Sequence, residues 1–215
     1  MLRIAVFVSG RGSNLRAILE SQNLKDLIGV DAVISDKVNC PAFEIAKEFS
    51  IDTYCLGREE GSIQYSDLTK YLRSIEIGFI VLAGFLKMIP AEFIQDFKNR
   101  IINIHPALLP SFGGKGMYGM NVHRAVFNSS AKFSGATVHL VNELYDAGKI
   151  IAQRSVDISD LNSPHQIAER VLKIEHELLP YVLEQIALKK ISFDDIETNS
   201  LHLIDQTVLI SDVRK

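Results

Sequence analysis

Short apolar runs alternate with helical patterns through the first half of the chain. The runs are rich in Val, Ile and Leu and show little polar alternation, which is typical of parallel strands covered by helices on both faces. The predicted strands lie at residues 4–9, 30–35, 52–55, 79–82 and 101–105. The helical patterns between them lie at residues 14–21, 41–49, 65–75 and 90–97. This alternation predicts an α/β fold, a doubly wound and mostly parallel sheet flanked by helices.

The second half of the chain has a different pattern. Residues 111–121 (SFGGKGMYGMN) are rich in glycine and predict a loop. Two strands are expected at 136–141 and 149–156, followed by a long helix from about 164 to 188, capped by Asn162 or Ser163. The remaining residues contain short β-like pieces at 201–204 and 207–210, to which the pattern assigns no role.

The composition argues for small-molecule partners. With 23 basic and 26 acidic residues the net charge is −3 and no basic block stands out, so we expect neither a nucleic acid nor a membrane as partner. Cys40 and Cys55 form no disulfide framework, and the six histidines show no zinc spacing, so no metal is predicted. The start of the chain lacks a signal peptide and no apolar run could span a bilayer, which predicts a cytoplasmic protein.

The segment RIINIHPALLP, at residues 100–110, carries the most informative polar pair. Asn103 and His105 are two residues apart on a predicted strand and therefore point to the same face. They lie at the carboxyl end of that strand, where open α/β sheets bind their ligands. An amide and an imidazole aimed at one point can stabilise an oxyanion and manage a proton in acyl transfer. The alternative is a polar pair that merely closes the strand.

The loop SGRGSN, at residues 9–14, follows the first strand and opens the first helix. Free N–H groups and the helix dipole favour an anion there. A dinucleotide loop is one interpretation, supported by Asp36 at the end of the second strand, but the third glycine of that motif is replaced by Leu15. A site for a phosphate monoester and a tight turn without ligand are the two others.

Asp146 lies in a turn after the strand that contains His139. Its carboxylate could reach back to His105, fix the imidazole tautomer and support its charged form. An Asp at such a position is also a common turn former. His139 alternates with apolar residues, and we interpret it as a structural histidine that makes a hydrogen bond.

The apolar segment VLAGFLKMIP, at residues 81–90, leaves the fourth predicted strand. On its residues alone we favour ordinary packing between a strand and a helix. The alternative is a slot for a flat aromatic ligand, in which backbone groups supply the polar contacts.

Taken together, these pieces resemble one family, the folate-dependent phosphoribosylglycinamide formyltransferases. The motifs occur in the order and at the spacing of that family. They are SGRGSN, VLAGFLKMIP, NIHPALLP, GATVHLV with the following Asp146, and Glu175-His176. The resemblance covers residues 1–190 and implies one formyltransferase domain. Its Rossmann-like, phosphate-binding half would span about residues 1–100 and its folate-binding, catalytic half about 101–190, with residues 191–215 as an extension.

The resemblance implies transfer of a formyl group from 10-formyltetrahydrofolate to the amine of glycinamide ribonucleotide. Asn103 and His105, the latter preferably protonated, would stabilise the oxyanion. Asp146 would orient His105 and help to remove the proton of the amine. Because the amine attacks directly, the reaction needs no covalent enzyme intermediate.

The resemblance also assigns binding residues to both substrates. Gly12, Ser13 and Asn14 would hold the phosphate and Glu175 the ribose hydroxyls. The folate residues implied in the same way are Leu86, Lys87, Met88, Ile89 and Val141. No metal is implied, and we expect a monomer or a homodimer. The segment at residues 113–121 would close over the site, although its Gly113-Gly114 replaces the Pro-Gly found in many members.

Several other protein classes fit the sequence less well than this family. A 10-formyltetrahydrofolate hydrolase on the same fold usually has an extra N-terminal regulatory domain, for which the first strand leaves no room. Methionyl-tRNA formyltransferases have an appended RNA-binding domain and lack the phosphate loop. An NAD-dependent oxidoreductase would use Gly10, Gly12 and Asp36 and would leave the Asn, His and Asp residues unexplained. A catalytically silent binding module would lack one of those three, and all are present.

Overall fold

One seven-stranded sheet organises the chain, which the computed structural model describes over residues 1–191 and at Phe193. In chain order the strands are β1 (Leu2–Phe7), β2 (Ile28–Ser35), β3 (Asp52–Cys55), β4 (Phe79–Leu82), β5 (Ile101–His105), β6 (Phe133–Leu140) and β7 (Ile150–Asp157). Their order in the sheet is β3-β2-β1-β4-β5-β6-β7. The first five strands are parallel, whereas β6 runs antiparallel to β5 and to β7. The predicted doubly wound, mostly parallel sheet is confirmed.

Helices cover both faces of this sheet. They are α1 (Ser13–Glu20), α2 (Ala42–Glu48), α3 (Tyr65–Ser74), α4 (Ala91–Asp96), α5 (Met120–Asn128) and α6 (Pro164–Ala187), with a short 3₁₀ helix at Gln22–Leu24. Alternate residues of β1 enter opposite cores: Ile4 and Val6 pack with α1, α2 and α6, and Ala5 and Phe7 pack with α3 and α4. A strand buried on both faces in this way cannot show polar alternation, which explains the apolar runs.

The order of strands reverses at β1, which pairs with β2 on one side and β4 on the other. The chain leaves β1 and β4 in diverging directions there, and the two loops that follow border the crevice at the carboxyl ends of the strands. These loops are linked by a hydrogen bond from Ser9 N–H to the Gly84 carbonyl, 3.0 Å long. The phosphate-loop motif and the apolar segment therefore meet at the switch point of the sheet.

Strand limits differ from the predicted ones where pairing extends or ends a strand. β1 and β2 each begin two residues earlier than predicted, because Leu2 pairs with Ile28 and the ladder starts there. β1 also ends before Val8 and Ser9, which bend into the loop, although Val8 N–H still donates to Ile34 O at 2.9 Å. The ranges of β3, β4 and β5 agree with the prediction.

The helix α5 was not predicted as an element. The predicted loop at residues 111–121 ends at Gly119, which caps the helix with a φ of 52°, so Met120 and Asn121 are helical. Val122 and Val126 are both buried, and Val126 packs in a small core with Ile167 and Val171 of α6. Two apolar residues four apart are too short a pattern to predict a helix after a glycine-rich segment.

The long helix α6 closes the second face of the sheet. Of the two candidate caps, Ser163 is the one used: its Oγ accepts from Gln166 N–H, and Pro164 occupies the first helical position. Glu175 is buried midway along α6, among apolar residues that pack on the sheet. In the part of the chain that the structure describes, none of the helices has the length and apolarity needed to cross a bilayer. The predicted β-like pieces at 201–204 and 207–210 lie outside the described residues.

Candidate active site

The antiparallel pairing of β5 and β6 sets the position of the polar pair. Asn103 lies directly opposite His139, and His105 lies opposite Thr137. Asn103 Nδ2 donates to His139 Nε2 at 3.0 Å, since His139 Nδ1 is 2.8 Å from the carbonyl of Leu140 and must be the protonated nitrogen. This contact fixes the orientation of the Asn103 amide and identifies which of its terminal atoms is the nitrogen. The second N–H of that nitrogen remains available.

Both ring nitrogens of His105 face oxygen atoms. Nε2 lies 2.9 Å from the carbonyl of Phe112, and Nδ1 lies 3.6 Å from Asp146 Oδ2. Burial lowers the pKa of His105, while the Asp146 charge and the Phe112 carbonyl act in the opposite direction. The protonated ring that we expected is therefore disfavoured in the free site. The neutral ring donates from Nε2 and presents Nδ1 to the carboxylate.

Asp146 is more than a turn former. Its backbone has a φ of 52°, and its Oδ2 accepts from Gly114 N–H at 2.9 Å. Its Oδ1 lies 3.6 Å from His139 Nε2. Burial alone would raise the pKa of Asp146, but the His139 ring, the His105 ring and the Gly114 N–H outweigh burial and lower it. The carboxylate is therefore ionised beside a neutral imidazole.

Two further histidines belong to this cluster. His139, expected to be structural, does make structural hydrogen bonds, but its partner is Asn103 and its ring is adjacent to Asp146. Its alternation with apolar residues identified a buried strand but not the strand opposite. His123 on α5 is buried, and burial followed by the charge of His105 lowers its pKa to about 4. It therefore stays neutral at working pH and contributes an uncharged polar side chain to the site.

The SGRGSN loop forms a tight turn into α1. Gly12 has a φ of 75° and caps the helix, and a Cβ there would lie 2.7 Å from Ala42 Cβ, so this position requires glycine. The N–H groups of the first helical turn, at Ser13 and Asn14, have no partner within the helix, and that turn contains no acidic side chain. The helix start therefore has the charge and geometry that favour an anion.

A buried hydrogen bond joins this loop to α6. Asn14 Nδ2 donates to Glu175 Oε2 at 2.7 Å, and both side chains are buried. Burial raises the pKa of Glu175 to about 7, against the opposing effect of the Asn14 hydrogen bond. Asn14 thus holds an acidic side chain from a distant helix beside the anion site, and that side chain is near half protonation at neutral pH.

Two cavities meet at the catalytic cluster. A main cavity of about 610 Å³ is lined by the phosphate loop, by α6 at Leu172 and Glu175, and by the segment 114–119. A side cavity of about 80 Å³ is lined by the apolar segment and the turn after β6. Asn103 and Asp146 line both cavities. Two of the predicted catalytic residues therefore lie at the junction and the third, His105, lines the main cavity. The predicted phosphate residues line the main cavity and the predicted folate residues line the side cavity.

The apolar segment combines the two roles that its sequence left open. Ile89 is buried and packs in the core with α3 and α4, whereas Leu86 and Met88 are 45% and 51% exposed at the side cavity. Lys87 Nζ lies 3.9 Å from Asp36 Oδ2. Asp36, which a dinucleotide site would use, lines neither cavity. Asn103 and His105 line the crevice, whereas Asp36 does not.

Over residues 1–191 and Phe193, no cluster of three or more His, Cys, Asp or Glu side chains could hold a metal ion. Cys40 and Cys55 are free thiols. Cys40 is buried below the SGRGSN loop, where its Sγ lies 3.4 Å from the Gly10 carbonyl.

Comparison with known proteins points to one family. Residues 2–183 match the family model described as formyl transferase. A Vigna unguiculata protein named phosphoribosylglycinamide formyltransferase, chloroplastic, is 43% identical over 193 residues, which are 88% of this chain and 62% of that protein. The chain thus spans less than two thirds of this plant relative's length.

Bacterial relatives match over most of their length. The Bacillus subtilis (strain 168) protein named phosphoribosylglycinamide formyltransferase is 33% identical over 190 residues, 86% of this chain and 95% of that protein. The crystal structure of phosphoribosylglycinamide formyltransferase from Anaplasma phagocytophilum superimposes with a TM-score of 0.80 at 33% identity and covers 89% of each chain. The predicted resemblance is confirmed by sequence and by fold.

The raised pKa of Glu175 predicts a pH dependence of folding stability. The unfolded carboxyl loses its proton near pH 4.5 and the folded one near pH 7, so its contribution is fully present below pH 4.5 and is lost as the pH rises through 7. We expect Glu175→Gln to gain roughly 3 kcal/mol in the free energy of unfolding relative to wild type between pH 4.5 and 8. Urea unfolding across that range measures it. Glu169→Gln, exposed on the same helix, is the control, and parallel curves for Glu175→Gln and wild type would contradict the assignment.

Proposed function

The chain belongs to the formyl transferase family, and on that premise we propose that it transfers the formyl group of 10-formyltetrahydrofolate to the amine of glycinamide ribonucleotide. The products are formylglycinamide ribonucleotide and tetrahydrofolate, a step of purine biosynthesis. The proposed substrate, phosphoribosylglycinamide, is the one that appears in the names of its relatives. The proposed catalyst is residues 1–190, acting as one domain without a metal.

The observation that carries this proposal is the junction of the two cavities at Asn103 and Asp146. One cavity begins at an anion site on a helix N-terminus, and the other is an apolar slot with exposed Leu86 and Met88. A phosphorylated amine and a flat folate that occupied them would bring their reactive ends to the same oxyanion-stabilising pair. A reaction that joins two such substrates directly fits this arrangement.

The amine of the ribonucleotide attacks the formyl carbon, and negative charge develops on the formyl oxygen. The free N–H of Asn103 donates to that oxygen, an interaction worth about 3 kcal/mol of barrier in comparable sites. His105 starts neutral, because burial lowers its pKa, and its ring gains a positive charge beside the oxyanion when Nδ1 takes up a proton during the reaction. Asp146, ionised and 3.6 Å from Nδ1, accepts the proton of the amine and passes it to His105, whose imidazolium it then stabilises. The C–N10 bond of the folate then breaks and this proton moves to N10, so that tetrahydrofolate leaves and both side chains return to their starting states.

The proposed binding residues line the two cavities. Backbone groups of Gly12, Ser13 and Asn14 hold the substrate phosphate, and Glu175 accepts from the ribose hydroxyls. Asn14 supports both roles, because it lies in the first turn of α1 and its Nδ2 donates to the Glu175 carboxyl at 2.7 Å.

The folate pterin lies in the side cavity. The side chains that contact it are those of the apolar segment and the end of β6, namely Leu86, Met88, Ile89 and Val141. Lys87, on the same segment, contacts the glutamate tail of the folate. To do so its side chain moves away from Asp36, which lies 3.9 Å from its Nζ in the free protein. Gly113 to Asn121 close over both substrates and exclude water, which would otherwise compete for the formyl group.

We propose a cytoplasmic monomer or homodimer.

One assay decides between transfer and hydrolysis. Release of tetrahydrofolate from 10-formyltetrahydrofolate is followed by absorbance, with and without glycinamide ribonucleotide. We expect release only with the ribonucleotide. Equal release in both reactions would identify a 10-formyltetrahydrofolate hydrolase, and no release in either would refute both.

Asp146→Asn keeps the shape of the side chain and removes its charge. We expect kcat to fall about 100-fold or more, with the KM of both substrates nearly unchanged, because the carboxylate acts on the transition state. Steady-state kinetics measure both constants, and Asp26→Asn on the exposed surface is the control. Near-normal turnover of Asp146→Asn would remove this residue from the mechanism.

Ser13→Asp places a carboxylate at the start of α1, where the phosphate is proposed to bind. We expect the KM for the ribonucleotide to rise at least about tenfold through charge repulsion, with the KM for the folate unaffected. Ser13→Asn has the same size without the charge and serves as the matched control. If both variants keep the wild-type KM, the phosphate binds elsewhere.

A further inference from the structure

One short turn contacts both members of the His105–Asp146 pair. The Phe112 carbonyl accepts from His105 Nε2 at 2.9 Å, and Gly114 N–H donates to Asp146 Oδ2 at 2.9 Å. His105 comes from β5 and Asp146 from the turn after β6. The two strands are paired in the sheet, but Asp146 lies beyond Leu140, where β6 ends. The turn 112–114 bridges them with one acceptor and one donor, each matched to its partner.

The backbone of this turn is shaped for that contact. Phe112 and Gly114 both have positive φ angles, 56° and 95°, which directs the carbonyl and the N–H toward the pair. Between them, a Cβ at Gly113 would lie 2.5 Å from Leu109 Cδ2 and 3.2 Å from Asp146 Cβ. The turn therefore packs directly against the Asp146 side chain, with no space between.

We propose that the turn 112–114 is a positioning element of the site and that Gly114 N–H is the group through which it holds Asp146 against His105. This inference rests on the proposed function for its kinetic consequence, but not for its structural one. Because the Phe112 carbonyl occupies Nε2, the same turn leaves Nδ1 as the His105 nitrogen that faces Asp146 and exchanges the proton. Gly114 acts through Asp146 and touches no substrate in this role.

Gly114→Ala is the first test. At a φ of 95° an alanine is strained although nothing lies within 4 Å of its Cβ, so the residue relaxes and its N–H leaves Asp146. We expect kcat to fall about tenfold or more while the KM of each substrate changes less than about threefold. Gly61→Ala carries comparable strain, at a φ of 79° in open space far from the site, and should keep the wild-type kcat.

A double variant separates positioning from general damage. If Gly114 acts through Asp146, then adding Gly114→Ala to Asp146→Asn should lower kcat by less than about twofold, whereas independent effects would multiply. A multiplied loss would overturn the proposal, as would a Gly114→Ala enzyme with kcat within about twofold of wild type.

Titration of His105 by NMR provides a readout in the substrate-free protein. The groups that face His105 are Asp146, His139 and His123. Moving Asp146 away removes the charge that raises the pKa of His105, so its titration midpoint should shift to lower pH in Gly114→Ala. Gly116→Ala, with a φ of 88° and open space in the same loop, should leave the midpoint unchanged.

The two readouts also separate this inference from the proposed function. If wild type transfers no formyl group, the function fails, yet a His105 midpoint that moves in Gly114→Ala alone would still support the positioning role. An equal shift in Gly116→Ala would refute it. Should Gly114→Ala fail to fold, hydrogen exchange of the Gly114 amide in wild type and Asp146→Ala decides: protection that disappears with the carboxylate supports the contact, and equal exchange rates refute it.

Discussion

The register between β5 and β6 is the constraint on which the site depends. β5 is the strand at which parallel pairing with β4 gives way to antiparallel pairing with β6. Since side chains alternate along a strand, a slip of one residue would turn Asn103 and His105 to the opposite face. The same register places Thr137 beside His105, where its hydroxyl donates to Ala107 O and accepts from Leu109 N–H. One pairing thus sets the direction of the Asn103 and His105 side chains and anchors the chain that follows them.

The site concentrates polar groups that burial makes costly. An unpaired buried carboxyl or imidazole loses several kcal/mol of solvation, so each of these groups is paired or neutral. His105 stays neutral in the free site while Asp146 keeps its charge. Glu175 is held near half protonation with a single amide partner. The two carboxyl groups therefore differ in protonation, since Asp146 is ionised and Glu175 is protonated in part. These are the states that the proposed roles require, of Asp146 as a base and of Glu175 as an acceptor of hydroxyl hydrogen bonds.

The sequence was sufficient for the fold and for the placement of the proposed catalytic residues at one edge of the sheet, for physical reasons that differ. Buried parallel strands are near-continuous apolar runs, so β4 and β5 were predicted to the residue. The edge strand β3 was also predicted to the residue, although its sequence DTYC is mixed and its first two residues are exposed. Spacing of two on a strand brought Asn103 and His105 to one face. Local pattern does not encode which strands pair, so the contact of His139 with Asn103 was missed. The helix α5 was missed because only two of its apolar residues are buried. The neutral state of His105 depends on burial by distant segments, and no local signal reports it.

Two substrate loops that are distant in sequence are hydrogen-bonded to each other at the switch point of the sheet. Ser9 N–H donates to Gly84 O at 3.0 Å, and Ser9 Oγ accepts from Leu86 N–H at 3.0 Å. Two hydrogen bonds therefore tie the loop proposed to hold the phosphate to the segment proposed to hold the folate. A direct transfer between two bound molecules has no covalent intermediate to hold the group in transit, so its rate depends on how closely the two sites keep their separation. The two hydrogen bonds of Ser9 restrain the separation of these loops, while the turn 112–114 contacts His105 and Asp146, which lie between them.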